Sequence, residues 1–362
     1  MSTRIRGFDG LRALAVLAVF FSHRFAPLYD RALGHAGVLV FFALSGFLIV
    51  GILTRARESI EAGASSYRHE IKAFFGHRFR RILPVYFAML VVVSALALVG
   101  HPVTGWRWDS LPWHALFGSH IYQSYVLGGW QGSLAHLWSL SIEFWFYALA
   151  APLLLALPSR WHLIACEVVM LAGLGGHVAL MMNGSSHLAV YTDTLTNFGF
   201  IAMGGAIALN LQRTRAMHWA LLPLIPVLIA LSLMPDPMAY GPWMIVTPIL
   251  AGLLVLAVAH AQTGLVVALL ERPALVYMGR ISYGFYLFHK LFWLSTPWHG
   301  PVDVLASMAL NFVASFALAA VSWELFENPI LKGCWPWQLL GRQPRRVERV
   351  TPEAVVAAGE RP

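Results

Sequence analysis

Residues 8–26 read FDGLRALAVLAVFFSHRFA, and this stretch decides the fold because an apolar run nearly long enough to cross a bilayer carries ionisable groups inside it. Arg12 and His23 are eleven residues apart, close to three turns of α-helix, so both side chains leave the same face. At about 1.5 Å rise per residue their Cα atoms stand roughly 16 Å apart along the axis, about half of a hydrocarbon thickness. One basic group then sits near one membrane surface and the other lies deep. Ionisable side chains at such depth face a protein interior or a wet cavity and are functional candidates. The alternative is a snorkelling arginine and a satisfied core histidine.

The 362-residue chain is 58% hydrophobic and only 12% charged, where soluble domains carry about a quarter charged residues. It reads as an all-α, polytopic membrane helix bundle of about ten spans. Apolar runs of suitable length fall at 8–26, 36–54, 82–100, 136–157, 161–182, 194–211, 217–234, 243–260, 280–298 and 304–326, and 264–278 reads as an interfacial helix. With the N- and C-termini cytoplasmic, Lys and Arg residues fall on the cytoplasmic side, except Arg24, Arg31 and Arg107 outside and Arg12 and Lys290 within spans. The net charge of +8 is therefore a topological signal. It does not indicate nucleic acid, since the basic residues flank apolar spans and form no soluble stripe with interleaved aromatics. Arg4 and Arg6 ahead of an apolar run resemble a signal peptide, but no small-residue cleavage site follows, so a retained span is expected. Cys166 and Cys334 make neither a disulfide framework nor a metal-type spacing. Residues 1–332 are expected to form one transmembrane domain in the cell (inner or plasma) membrane, and 333–362, rich in Pro, Arg and Glu, a disordered cytoplasmic tail.

Polar groups inside the other apolar runs suggest chemistry. In HRFRRILP, Arg78 and Arg81 share a helix face at the cytoplasmic end of the third span, at the level of Arg12. Three arginine forks could converge on one polyanion there, with simple topogenic charge as the alternative. In AHLWSLSIEFWFY, His136, Ser139 and Glu143 occupy a narrow arc, and Glu143 reaches a depth similar to that of His23. A carboxylate beside an imidazole fixes its tautomer and raises its basicity, as a general base requires; an unreactive interhelical ion pair is the alternative. In GRISYGFYLFHKLFW, Ser282, Tyr286 and His289 share a face, with Lys290 adjacent, and either line the same cavity or serve as interhelical hydrogen-bonding glue. Ser45 and Gly46 read as packing residues. Glu324 and Glu327 are expected to pair with cytoplasmic arginines, while Glu167, His177 and Asp193 have no identifiable partner. The segment 101–135, rich in Trp, Gly and His, reads as a cavity roof or an aromatic belt.

At these residues the chain closely resembles the acyltransferase 3 family of integral membrane O-acyltransferases, which modify surface sugars, lipopolysaccharide, Nod factors and some macrolides. The resemblance covers nearly all of residues 5–332 and rests on GLRALAVLAVFFSH, FFALSGFLI, the Arg-x-x-Arg of HRFRRILPVY, WSLSIEFWFY, GRISYGFYLFH and the closing ENP. It implies about ten spans, acyl-CoA as cytoplasmic donor with acetyl-CoA as the default, and a carbohydrate or glycolipid acceptor on the far side. Arg12 and His23 match the family's essential pair. Where the family commonly has two acidic residues after WSLS, Glu143 is followed here by Phe144. Some members carry an extracytoplasmic esterase-like domain; none is read here, so transfer is expected to be completed by this chain or with a separate partner. The resulting expectation assigns catalysis to His23, Arg12 and Glu143 and the phosphates of acyl-CoA to Arg12, Arg78 and Arg81. His136, Ser139, Tyr286 and His289 are assigned to the acceptor cavity, and no metal is expected. The competing class is a proton-coupled transporter or flippase of a glycan precursor, disfavoured by the lack of repeat symmetry and of paired broken spans.

Overall fold

The computed structural model describes residues 4–29, 31–100, 105–214, 218–234, 243–292, 294–296 and 300–333. Regular structure among them is helical, with no strand. The principal helices are α1 (Phe8–Arg24), α2 (Leu33–Glu61), α3 (Tyr67–Leu98), α4 (Leu137–Ala156), α5 (His162–Met182), α6 (Thr194–Asn210), α7 (Leu221–Ser232), α8 (Trp243–His260), α9 (Pro273–Arg280), α10 (Ser282–Phe288) and α11 (Pro301–Ser322). Apart from the ninth, 280–298, which is helical only as far as Phe288, the apolar runs coincide with helix where they are described. Five stretches are long and apolar enough to cross a membrane: Leu33–Glu61, Tyr67–Leu98, Gly132–Ala156, Ser159–Met182 and Pro301–Leu331. The tail expected from 333 lies, beyond Gly333, outside the described residues, and so does Cys334.

Helix α2 is the axis of the bundle. Its most apolar window is 72% buried, against 17% for those of α5 and α11, and it packs on α1, α4, α6, α7 and α8. What lets α6 lie so close is the absence of side chains at the crossing: a Cβ on Gly46 would stand 1.7 Å from the Ile201 carbonyl oxygen, and one on Gly204 2.1 Å from that of Ala43. Gly46 is therefore a packing residue, as expected. The start of α1 is tied down from a distance. Gly7, at φ +89°, donates its N–H to Glu271 at 2.7 Å, and Arg4 pairs with the same carboxylate at 3.2 Å.

At the other end of α1, Phe20 meets Phe285 of α10 and Phe312 of α11, with ring centroids 5.5 and 5.4 Å away. This cluster lies one turn before His23 and one turn before His289, so it brings the two imidazoles to the same place. The ninth apolar run is not one continuous span from 280 to 298. Helix α10 closes at Phe288 because the His289 ring takes the Tyr286 carbonyl at 2.6 Å, the acceptor that a continuing helix would offer to the Lys290 N–H. Neither glutamate of the last span makes a salt bridge among the described residues, although Glu327 attracts Arg81 from a longer distance. A π-helical turn, Trp323–Glu327, directs Glu327 back to the Ser322 hydroxyl at 2.9 Å, and Glu324 accepts from Tyr277 at 3.3 Å. Asp193, for which the sequence suggests no partner, caps α6 by accepting from the Thr196 N–H at 2.7 Å.

Candidate active site

Two cavities lie back to back and share Val38 and Tyr286 as wall residues. The first, of about 290 Å³, is lined by Arg12, Arg78 and Arg81 together with Asp9, Glu143 and Tyr147. The convergence of three arginines, read from their shared level, is present. Arg12 donates to Asp9 at 2.9 Å. The Arg78 guanidinium stands 5.4 Å from the centre of the Tyr147 ring, and that of Arg81 stands 5.3 Å from Trp323. Neither Arg78 nor Arg81 makes a salt bridge among the described residues. Two guanidinium forks held on aromatic faces, with their donors largely unspent, suit a ligand that carries several phosphate oxygens.

Glu143 belongs to this same cavity. It accepts hydrogen bonds from the Ser45 and Tyr147 hydroxyls, and none of its contacts is to His23. Ser45, read from sequence as packing, thus lines the site; its signal was a hydroxyl in mid-span, on a helix adjacent to one that carries a buried acid. Ser139 and the Tyr286 hydroxyl are 2.6 Å apart, and each also lies 3.2 Å from the His136 carbonyl oxygen.

The second cavity, of about 250 Å³, is lined by His23, His35, His136, Trp130 and Lys290 among others. His23 therefore faces protein and cavity. Its ring partner is His289: Nδ1 of His23 lies 2.9 Å from Nε2 of His289, with the rings stacked at 5.1 Å. The tautomers follow from the chain of bonds. The Tyr286 carbonyl can only accept, so Nδ1 of His289 carries the proton that it donates at 2.6 Å. In the neutral ring, Nε2 of His289 is then the acceptor and Nδ1 of His23 the donor, which leaves the Nε2 lone pair of His23 free. Arg24 donates to the backbone carbonyl of His289 at 2.9 Å and holds that residue in place. His136, by contrast, spends its Nε2 proton on the Leu287 carbonyl at 3.1 Å. Sequence spacing assigned His289 to a cavity; it lines neither of the two, and the spacing gave no signal that His289 would stand against the His23 ring where Glu143 was expected.

The segment 105–131, from which Trp130 reaches the wall of the second cavity, is built on buried hydrogen bonds. His114 donates from Nε2 to Gln131 at 3.0 Å and accepts the Ser119 hydroxyl at 2.6 Å, while Gln131 donates to Ser110 at 2.7 Å. Burial holds the His114 and His120 imidazoles down to about 4, against an ordinary 6.5. Between those values the unfolded segment binds protons that the folded one refuses, so its stability is lost as pH falls from 6.5 toward 4. Hydrogen exchange of residues 105–131, corrected for the intrinsic pH effect, should therefore be faster at about pH 5 than at pH 7. Equal protection at both would contradict this account of the histidines.

The sequence model of a family described as an acyltransferase domain matches residues 5–323. The peptidoglycan O-acetyltransferase OatA of Listeria monocytogenes is 27% identical, over 91% of this chain and 56% of its own length. Nodulation protein 10 of Rhizobium leguminosarum bv. viciae is 28% identical, over 90% of this chain and 93% of its own. The chain thus spans about half of the Listeria relative and nearly all of the Rhizobium one. No solved structure matches the chain.

Proposed function

This chain belongs to the acyltransferase-domain family, and from that premise we propose that it is a membrane O-acyltransferase acting on carbohydrate. It moves an acyl group, acetyl by default, from cytoplasmic acyl-CoA to a hydroxyl of an extracytoplasmic or membrane-linked saccharide. The Listeria relative carries the name of a peptidoglycan O-acetyltransferase, which accords with a carbohydrate acceptor. In this proposal the chain crosses the cell membrane about ten times with both termini inside, the arginine cavity opens to the cytoplasm, and the His23 cavity opens to the far side.

Arg12, Arg78 and Arg81 hold the donor's phosphates, and the thioester extends toward the shared wall at Tyr286. His23 takes the proton of the acceptor hydroxyl on Nε2 as that oxygen attacks the thioester carbonyl carbon. The new C–O bond forms, the C–S bond breaks, and the departing thiolate recovers the proton from His23. Tyr286 or Ser139 stabilises the oxyanion in between, and the fixed tautomer means that no ring has to turn during the reaction. Glu143, bonded to Ser45 and Tyr147, organises the arginine cavity from within.

The carrying observation is the chain of contacts from Nδ1 of His23 through His289 to the Tyr286 carbonyl, which in neutral rings leaves Nε2 of His23 unprotonated, in a cavity that shares a wall with the arginine site. Inverted membrane vesicles given labelled acetyl-CoA test it. Covalent label on a membrane saccharide is expected. Movement of saccharide across the bilayer with no covalent label would instead establish a carrier.

A further inference from the structure

The two cavities differ in how their cations are balanced. In the arginine cavity, Asp9 and Glu143 stand among the lining residues. The His23 cavity is lined by Lys290 and Arg31, and among the described residues no carboxylate lines it. Lys290, next to the His23 partner His289, is half-buried and makes no hydrogen bond or ion pair among the described residues. Arg31 donates one N–H to the Leu233 carbonyl at 3.2 Å and keeps the rest of its fork for other partners. In the topology proposed above, both lie away from the cytoplasmic side, where the usual distribution of positive charge would not put them. A half-buried ammonium without a counter-charge is costly, and an anion arriving in the cavity relieves that cost.

The remaining lining residues suit a sugar. His35 is buried on the wall of this cavity with both ring nitrogens unpartnered among the described residues, ready for ligand hydroxyls. The Trp130 ring lies half exposed beside it as an apolar face for a pyranose. We propose that the acceptor is an anionic saccharide, whose carboxylate or phosphate is held by Lys290 and Arg31 while His35 and Trp130 hold the ring. The inference deepens the acyl-transfer function and rests on it for the word acceptor. It makes Lys290 and Arg31 the residues that determine acceptor specificity.

Equilibrium binding to the full-length protein in lipid nanodiscs tests this with three probes: trigalacturonic acid, its methyl ester, and a trisaccharide carrying one phosphomonoester. At low ionic strength the acid should bind about tenfold more tightly than the ester, with the preference shrinking as salt is raised. Lys290→Gln and Arg31→Gln should each remove most of the preference. Arg31 is exposed on the rim, so Arg31→Gln carries the test if Lys290→Gln fails to fold. A preference for the carboxylate points to an acidic sugar and one for the phosphate probe to a glycosyl phosphate; either supports the proposal. Equal affinity for acid and ester with no gain for the phosphate, no binding of either anion at millimolar concentration, or a preference that survives in both variants overturns it. Acetyl transfer is scored separately in the same preparation. Transfer without anion preference removes only this inference, and anion preference without transfer to any saccharide removes the acyl-transfer function.

Discussion

Replacing His23 with alanine is expected to lower acyl transfer about a hundred- to ten-thousandfold in a protein that remains folded, the range that a positioned general base contributes. Folding should survive because α1 is held elsewhere, at Gly7 and Arg4 by Glu271 and at Phe20 by Phe285 and Phe312. His289 acts through His23, so its variants should behave differently. His289→Ala removes the acceptor that fixes the His23 tautomer at 2.9 Å, and should lower kcat about tenfold with little change in the donor's KM. His289→Gln can place an amide oxygen near the same position and should recover part of the loss. Initial rates with labelled acetyl-CoA, with thermal stability measured alongside, check both. Full activity in a folded His23→Ala variant would end its assignment as the base, and equal loss in the two His289 variants would reduce that residue to packing.

The second large effect belongs to the arginine cavity. Arg78→Gln combined with Arg81→Gln should raise KM for acetyl-CoA about a hundredfold or more, since each charge-assisted bond to phosphate is worth about 1.5–3 kcal/mol. The change should fall on binding, with kcat affected much less. A small acetyl thioester that lacks the nucleotide and its phosphates separates charge recognition from damage to the fold. Its transfer, slow in the parent, should be unchanged in the double variant. A parallel loss with both donors would mean that the arginines hold α3 in place and not the donor. Arg12 is the less informative target, because its removal also breaks the salt bridge to Asp9 and leaves that carboxylate to Arg4 alone.

Helical periodicity and bilayer thickness can be applied to one segment at a time, and what they govern was open to reading in the chain alone. The ten apolar runs, the common face of Arg12 and His23, the shared level of Arg12, Arg78 and Arg81, and the close approach at Gly46 are of this kind. Each depends on residues a few positions apart or on distance along one helix axis. Which side chain meets which across helices depends on rotations about those axes, and these are decided by packing between segments distant in sequence. The contact of Gly46 with Ile201 sets α2 against α6, and the Phe20, Phe285 and Phe312 rings set α1 against α10 and α11. Only that packing made His289 the partner of His23, sent Glu143 to Ser45 and Tyr147 and divided the interior into two cavities. Depth is a property of one helix, and neighbourhood is a property of the whole bundle.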